Sequence, residues 1–309
     1  MPHIANKVLH VRSTIGMYGA EQVILNIASI EDKCSYDTSV LVIEGVNIEA
    51  SELRNNLSSI KSKYNFIVSP KRFDINVIKE LKKIAKTASI VHTHDYKSLI
   101  LTSISLAFTR TKIVHHVHGS LGNTISEKVY ACLERIFMLN ASRIITVSND
   151  QKSIIQNRIG LKNKVIQIDN GTTIYNKNII NTKQCDKFLM VMAARFTPEK
   201  NHKKAINIIS ILRAKNYPVE LVLLGDGPEL EIIKEYAKKC GVDKPIKFIG
   251  FTRDVKKWLD ESKLMLITSI TEGLPMSMLE AMASGLPIIS TPVGEIPNIL
   301  QKSKGGWTA

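Results

Sequence analysis

An α/β fold of two doubly wound units in series is predicted for these 309 residues from three observations. Short β-branched runs alternate with stretches of helical period along the chain. A polar segment, YNKNIINTKQCDK (175–187), interrupts the alternation and reads as a linker. After it the alternation restarts. Strand, helix, strand in repetition requires a parallel sheet covered by helices on both faces.

Before the linker, NKVLHV, TSVLVI, FIVS, SIVHTH, KIVHHVHG, RIITVS and KVIQI read as strands, because β-branched residues dominate each and polar residues bound them. Between them GAEQVILNIASI, NVIKELKKIAKT and SEKVYACLERIFMLNA have helical period. In NVIKELKKIAKT (76–87), Ile78, Leu81 and Ile84 share one side, with Lys79, Lys82, Lys83 and Lys86 around them. Such a helix packs on its sheet with solvated lysines, or lays those lysines on an anionic lipid surface. After the linker come strand FLMVMAAR, helix NHKKAINIISILRAK, strand VELVLLG, helix PELEIIKEYAKKC and strand IKFIG. Helix DVKKWLDES, strand LMLITS, helix PMSMLEAMAS, strand PIIST and helix EIPNILQKS follow. Two such units are expected to face each other across a cleft, and ligands of open α/β sheets bind beyond the carboxyl ends of the strands. The residues that end strands are therefore the ones to weigh.

Composition removes several classes. The content is 44% hydrophobic and 23% charged, that of a globular rather than a disordered chain. The longest nearly apolar stretch, LILTSISLAF (99–108), is far short of the roughly 20 residues that cross a bilayer. MPHIANKVLHVRST has no basic region followed by an apolar run, so no secretory signal is read there. Cys34, Cys132, Cys185 and Cys240 stand singly, which suits buried thiols in a reducing cytoplasm. The net charge is +14, and it is uneven: 24 basic and 14 acidic residues precede position 184, against 18 and 14 from there on. A basic first half suits an anionic partner such as a membrane surface or phosphorylated lipid. Nucleic acid is the weaker reading, since no stacking platform or recognised module accompanies the charge.

The sharpest local signal is TEGLPMSMLEAMASGLP (271–287). LMLITSI is a strand and TEGLP the turn after it; Gly273 eases the turn, and Pro275 fits a first helical position. The helix amino end behind it has free N–H groups and partial positive charge, a phosphate site. Glu272 lies in the turn and Glu280 inside the helix, which separates the carboxylates by roughly 8–12 Å. That is the span from a ribose to a sugar across a diphosphate, and a carboxylate suits a vicinal diol.

ITSITEGLPMSMLEAMASGLPIISTPVG resembles the segment, with glutamates eight apart, of retaining nucleotide-sugar glycosyltransferases of GT-B architecture, in particular glycosyltransferase family 4. The resemblance is weak at the start of the chain and strong from about residue 188. It implies an acceptor-binding domain at 1–180 and a nucleotide-sugar-binding domain at 181–309. Glu272 would then hold hydroxyls of the transferred sugar and Glu280 the donor ribose, with the Gly273 and Leu274 amides near the diphosphate or sugar. MAARFTPEKN supplies Arg195 and Lys200, the family's two cations on the departing diphosphate, where other glycosyltransferases use a metal ion. LVLLGDGPE and IKFIGFTRD also match, so Gly225 and Gly227 open a helix start near the donor and Phe251 lies near the nucleobase. In STIGMYGAEQVILNIA, Gly19 is assigned to the donor-facing glycine loop, although Tyr18 stands where the family usually has a second glycine. His118, at the end of KIVHHVHG, is assigned close to the transferred sugar. The Asn-Gly turn in IDNGTT (168–173) is read as structural.

The resemblance implies surface-polysaccharide synthesis on a glycan or lipid-linked acceptor, in the cytoplasm or at the inner face of its membrane. No metal and no other cofactor is expected, and the chain contains no Asp-x-Asp triplet. His92 and His94 share a strand face, but spacing places no third ligand beside them, so a metal site there is the weaker reading. In TPVGEIPNIL, Glu295 replaces a usual glycine and Asn298 a usual glutamate. The family also continues beyond SKGGWTA, so a short C-terminus is expected to weaken donor binding, and a catalytically silent nucleotide-sugar binder is the alternative.

Overall fold

The computed structural model describes residues 6–13, 19–29, 36–45, 51–58, 63–69, 74–118, 125–158, 160–174 and 188–309. The chain divides into two compact units, Met1–Asn170 and Gly171–Ala309. The expected linker at 175–187 and Tyr18 lie outside the described residues.

In unit 1 the order is β1 (Asn6–Ser13), α1 (Gly19–Ser29), β2 (Tyr36–Glu44), α2 (Ser51–Ser58), β3 (Lys63–Val68), α3 (Ile75–Ala85) and β4 (Ile90–Thr93). There follow α4 (Tyr96–Ser105), β5 (Lys112–Val117), α5 (Ile125–Phe137), β6 (Arg143–Thr146), α6 (Asn149–Gln156) and β7 (Val165–Gln167). Among the described residues the strands form one parallel sheet, ordered β3-β2-β1-β4-β5-β6-β7. Alternation along each strand splits the apolar residues between two faces. Leu9, Val11, Leu41, Ile43 and Val91 pack with Val77, Leu81 and Ala85 of α3 and Leu99 and Leu101 of α4. Val40 and Val42 face the other way, onto Ile24, Leu25 and Ala28 of α1 and Leu53 and Leu57 of α2. Truncating a fully buried leucine such as Leu81 costs about 2–5 kcal/mol.

Unit 2 repeats the plan. It runs β8 (Phe188–Ala193), α7 (His202–Ala214), β9 (Val219–Leu224), α8 (Leu230–Lys239), β10 (Ile246–Gly250), α9 (Val255–Glu261) and β11 (Leu264–Ile267). It ends with α10 (Met276–Ala283), β12 (Ile288–Ser290), α11 (Ile296–Ser303) and β13 (Gly306–Thr308). Its parallel sheet is ordered β10-β9-β8-β11-β12-β13. Met190, Met192, Leu221, Leu223 and Leu266 pack on α7 and α8. Val191, Val222, Leu224, Met265, Ile267 and Ile288 pack on α9, α10 and α11. In both units the order reverses beside the first strand, between β1 and β4 and between β8 and β11, the position at which doubly wound sheets bind ligands.

Every strand read from the sequence is present. Three details differ. The fully buried stripe of α3 is Val77, Leu81 and Ala85, flanked by Ile78 and Ile84; the four-residue spacing centres it one residue away from the predicted side. Lys79, Lys82, Lys83 and Lys86 are exposed. The apolar run at 99–108 is mostly α4, started by a capping box in which Asp95 accepts from the Ser98 N–H while the Ser98 hydroxyl accepts from the Asp95 N–H. Cys132, on α5, is exposed, and Cys240, just after α8, is half-buried at the margin of the unit 2 core, so the expected full burial of these two thiols is corrected. No helix among the described residues is long and apolar enough to cross a membrane.

Candidate functional site

Unit 2 brings its predicted residues to the carboxyl edge of its sheet through two pairs of interlocked turns. The first pair joins the turn after β8 to the turn after β9. Ala194 N–H donates to Leu224 O (3.0 Å), Phe196 N–H to Asp226 O (2.9 Å) and Glu229 N–H to Phe196 O (3.0 Å). Gly225 (φ +131°) and Gly227 (φ +157°) are required there, since a Cβ would overlap the backbone of Ala194 or Phe196. Exposed Arg195 is carried on that brace. The Gly225 N–H also donates to Gly250 O (2.8 Å), which fixes the turn leading to Phe251, 45% exposed.

The second pair joins the turns after β11 and β12. Thr291 Oγ1 donates to Ser269 O (2.5 Å) and Glu295 N–H to Gly273 O (3.0 Å). At Gly294 (φ +57°) a Cβ would overlap the carbonyl oxygens of Glu272 and Gly273. Glu295, in place of the usual glycine, is buried and accepts from Asn298 Nδ2 (2.9 Å). The two pairs are joined in turn. Ile270 N–H donates to Glu199 O (2.8 Å), and Thr268 Oγ1 reaches the carbonyl oxygens of Lys200 (3.1 Å) and Asn201 (3.0 Å).

That clamp sets Lys200 Nζ 2.6 Å from Glu272 Oε1, which also accepts from Ser269 Oγ (2.7 Å). The side chains are 22% and 10% exposed, so solvent screens the pair only in part. A hydrogen bond to a charged group contributes about 1.5–3 kcal/mol. Oε1 is thereby saturated, while Glu272 Oε2 has no partner among the described residues. Spacing did not foretell that Lys200 and Glu272 bind each other, nor the parts of Ser269 and Thr268. At strand ends, hydroxyl residues read equally as turn formers.

Leu274 is buried and Gly273 half-buried, just ahead of α10. Pro275 precedes the helix in extended conformation, and no side chain caps the helix start. Glu280 is half-buried in the second turn, and burial pushes its carboxyl up to about 7. It has no ion-pair or side-chain hydrogen-bond partner among the described residues. Near neutral pH such a carboxyl donates as well as accepts. His202, stacked on Phe196 with ring centres 4.0 Å apart, is lowered to about 4 by burial and then by Lys200, so it is neutral.

Gly19 and His118 belong to unit 1, where Gly19 opens α1 and His118 follows β5. The corresponding edge of that sheet is lined with imidazoles. His10, His92, His94, His116 and His118 lie on the face opposite Leu9, Val91 and Ile113. His10 is registered directly against His92. His10 Nδ1 is 2.9 Å from His94 Nε2, and His94 Nδ1 is 2.9 Å from His118 Nε2. The third nitrogen that sequence spacing failed to place beside His92 and His94 is thus supplied by β1, 82 positions before His92. Parallel pairing across that distance leaves no local trace. Burial lowers His10 to about 4 and His116 to about 3, with His115 and His10 also acting on the latter. Burial first, then neighbouring imidazoles, holds His92, His94 and His118 well below their ordinary value. Beside them Arg12 donates through Nε to buried Glu21 (2.7 Å) and through Nη1 to His94 O (2.7 Å), and Asp95 lies 3.7 Å away. Burial pulls the Arg12 guanidinium down, but Glu21 and Asp95 outweigh it and leave it raised.

Comparison with known proteins places these edges in a family. The profile "Glycosyltransferase Family 4" matches residues 18–174, and "Glycosyl transferases group 1" matches 176–309. An uncharacterized glycosyltransferase of Haemophilus influenzae is 27% identical over 277 residues, 88% of this chain and 76% of that one. An Escherichia coli UDP-Gal:alpha-D-GlcNAc-diphosphoundecaprenol alpha-1,3-galactosyltransferase is 28% identical over 243 residues, 70% and 60% of the two chains. Among solved structures, Anabaena HepE in complex with UDP-glucose superposes with a TM-score of 0.84 at 18% identity, covering 98% of this chain and 85% of that one. Two parallel sheets whose first six strands share one order, glycine-braced turns at the carboxyl edge of unit 2 and profiles that cover both units agree on one assignment. The chain is a two-Rossmann (GT-B) glycosyltransferase and belongs to glycosyltransferase family 4.

Proposed function

We propose that this glycosyltransferase moves a sugar, with retention of configuration, from a nucleotide diphosphate sugar to a glycan or lipid-linked acceptor during surface-polysaccharide synthesis. The observation that carries the reading is the state of Glu272. Lys200 and Ser269 hold one carboxylate oxygen and leave the other available for hydroxyls of the transferred sugar. A carboxylate so held is a ligand for hydroxyls rather than a free base. Lys200, Arg195 and the uncapped start of α10 supply positive charge for the diphosphate, and the half-buried Glu280 suits a ribose diol. The donor class also draws support from HepE, solved with UDP-glucose, and the lipid-linked acceptor from the name of the Escherichia coli relative.

In the step itself the bond between the anomeric carbon and the diphosphate oxygen breaks, and the acceptor oxygen bonds to that carbon from the same face. The acceptor proton passes to the departing diphosphate. Lys200 and Arg195 offset the charge that develops there, a role for which a divalent ion is not required. Calorimetry with a panel of nucleotide sugars, with and without chelator, tests the reading. Saturable donor binding that survives chelation and weakens in Glu272→Gln supports it. A donor site that needs added manganese, or that ignores Glu272→Gln, overturns it. Binding without turnover on any acceptor would leave a nucleotide-sugar binder in place of an enzyme. The exposed lysines of α3 complete the proposal, as a contact with the anionic inner face of the membrane.

A further inference from the structure

We infer that unit 1 holds one zinc-type divalent cation, bound by ring nitrogens of His10, His92 and His94 at the reversal of its strand order. The inference goes beyond donor handling and involves no residue of unit 2. Each of the three offers a ring nitrogen within 4.8 Å of the other two, and all three residues are buried. His92 is 9% exposed, and its Nε2 is buried with no hydrogen-bond partner among the described residues, an arrangement that proteins rarely leave uncompensated. With metal–nitrogen distances of about 2.0–2.1 Å, three imidazoles on one tetrahedral ion set their ring centres about 5 Å apart. Here those separations are 5.0, 5.2 and 4.3 Å. Neutral nitrogen donors favour zinc, copper or nickel over magnesium or manganese.

A second triad, His94, His116 and His118, shares His94, and both ring nitrogens of His116 are likewise buried with no hydrogen-bond partner among the described residues, but its spacing is less suited. Its ring centres are 5.7, 5.2 and 4.0 Å apart, the closest pair being stacked at 25°, and His118 is half-exposed. A neutral His94 gives one nitrogen, so one ion binds per chain. When Nε2 of His94 is the ligand, its Nδ1–H donates to His118 Nε2, 2.9 Å away, the outer-sphere partner that metal-bound histidines ordinarily keep. The ion would thereby fix which nitrogen of His118 carries the proton.

The test uses the full chain, stripped with chelator and titrated with Zn²⁺ by calorimetry and with Co²⁺ by visible absorption. One equivalent should bind, with the intense bands of four-coordinate cobalt. His92→Gln and His10→Gln should each weaken binding more than ~100-fold, beyond the 10–100-fold typical of outer-sphere changes. His118→Gln should keep the stoichiometry and the spectrum and weaken binding no more than ~10–100-fold. Circular dichroism checks that each variant is folded. X-ray absorption of the zinc-loaded wild type counts imidazole ligands without any variant, and three are expected. Absence of saturable binding, a weak octahedral cobalt spectrum, or binding that survives His92→Gln and fails in His118→Gln overturns the assignment. Nucleotide-sugar binding is not read in any arm, so failure here leaves the donor reading as it stands.

Discussion

Units 1 and 2 share a strand order and a point of reversal, yet they place opposite chemistry there. Beyond β8 and β11 the edge is made of short turns that brace one another through backbone hydrogen bonds, and its side chains are a lysine, an arginine and carboxylates. Beside β1 and β4 the strands themselves end in neutral, buried imidazoles, with a sealed Arg12–Glu21 pair alongside. The same topology thus yields a charged, half-open edge in one case and a buried, neutral one in the other. Topology decides where a site can form, and the residues that end the strands decide which ligand it takes.

The largest effect that separates the two is acid lability. His10, His92, His94 and His116 are neutral in the fold, whereas their unfolded-state value is 6.5, so the unfolded chain takes up protons first. Their contribution is therefore full above pH 6.5 and is lost as pH falls toward 4. Between pH 7 and 5.5 each should remove about 1 kcal/mol, or about 4 kcal/mol together. Unit 2 has only His202 of this kind among the described residues. Both tryptophans, Trp258 and Trp307, lie in unit 2. In chelator-treated protein, acid loss of circular dichroism should precede the tryptophan fluorescence change, and coincident transitions would break the contrast.

Next in size is the charged edge itself. Lys200→Ala should lower kcat/KM by ~10²–10³, the usual effect of removing one donor from developing charge. The same variant leaves Glu272 with Ser269 alone. His92→Gln in unit 1 should leave nucleotide-sugar affinity within about twofold, since Glu272, Lys200, Arg195 and Glu280 all belong to unit 2. Equal loss in both variants would mean that the edges are not independent.

A smaller and pH-dependent effect is expected at Glu280. Its folded value, about 7, lies above the unfolded value of 4.5, so its proton-linked contribution is full below pH 4.5 and lost as pH rises through 7. Glu280→Gln should therefore match wild type near pH 5 and exceed it by about 1–2 kcal/mol near pH 8.5, after discounting for partial exposure. Thermal unfolding at the two pH values checks this. Donor affinity of the same variant should fall about tenfold, which ties the local instability to use. The smallest effect is at α3, where each of Lys79, Lys82, Lys83 and Lys86 should contribute ~1 kcal/mol to recovery with acidic vesicles and none with neutral ones. Flotation that does not distinguish the two vesicle types removes the membrane contact.

The sequence was more legible for elements than for partners. Alternation identified β1 to β12 and the helices of unit 2, because an apolar residue's side of a strand or helix is a local property. The start of α4 was also written locally, as Asp95 and Ser98 three apart, but its apolar run masked the signal. Glu272 and Lys200 stood out by family resemblance, yet nothing local showed that one grips the other across 72 positions. His10 was equally hidden, since parallel register is decided by the whole sheet.

Gly294 has a consequence for how this enzyme can be altered. It has no side chain to offer a donor, yet any side chain there would collide with the carbonyls of Glu272 and Gly273, and Thr291 and Glu295 tie the same two loops. The segments 268–275 and 291–298 are therefore one unit of exchange. A chimera that imports the first from a relative without the second should fold if Leu274 is kept apolar, because most core residues of unit 2 lie on its strands and helices, but misplace Glu272. In a saturation screen, position 294 should admit glycine alone among active clones, as strictly as a residue in contact with the sugar.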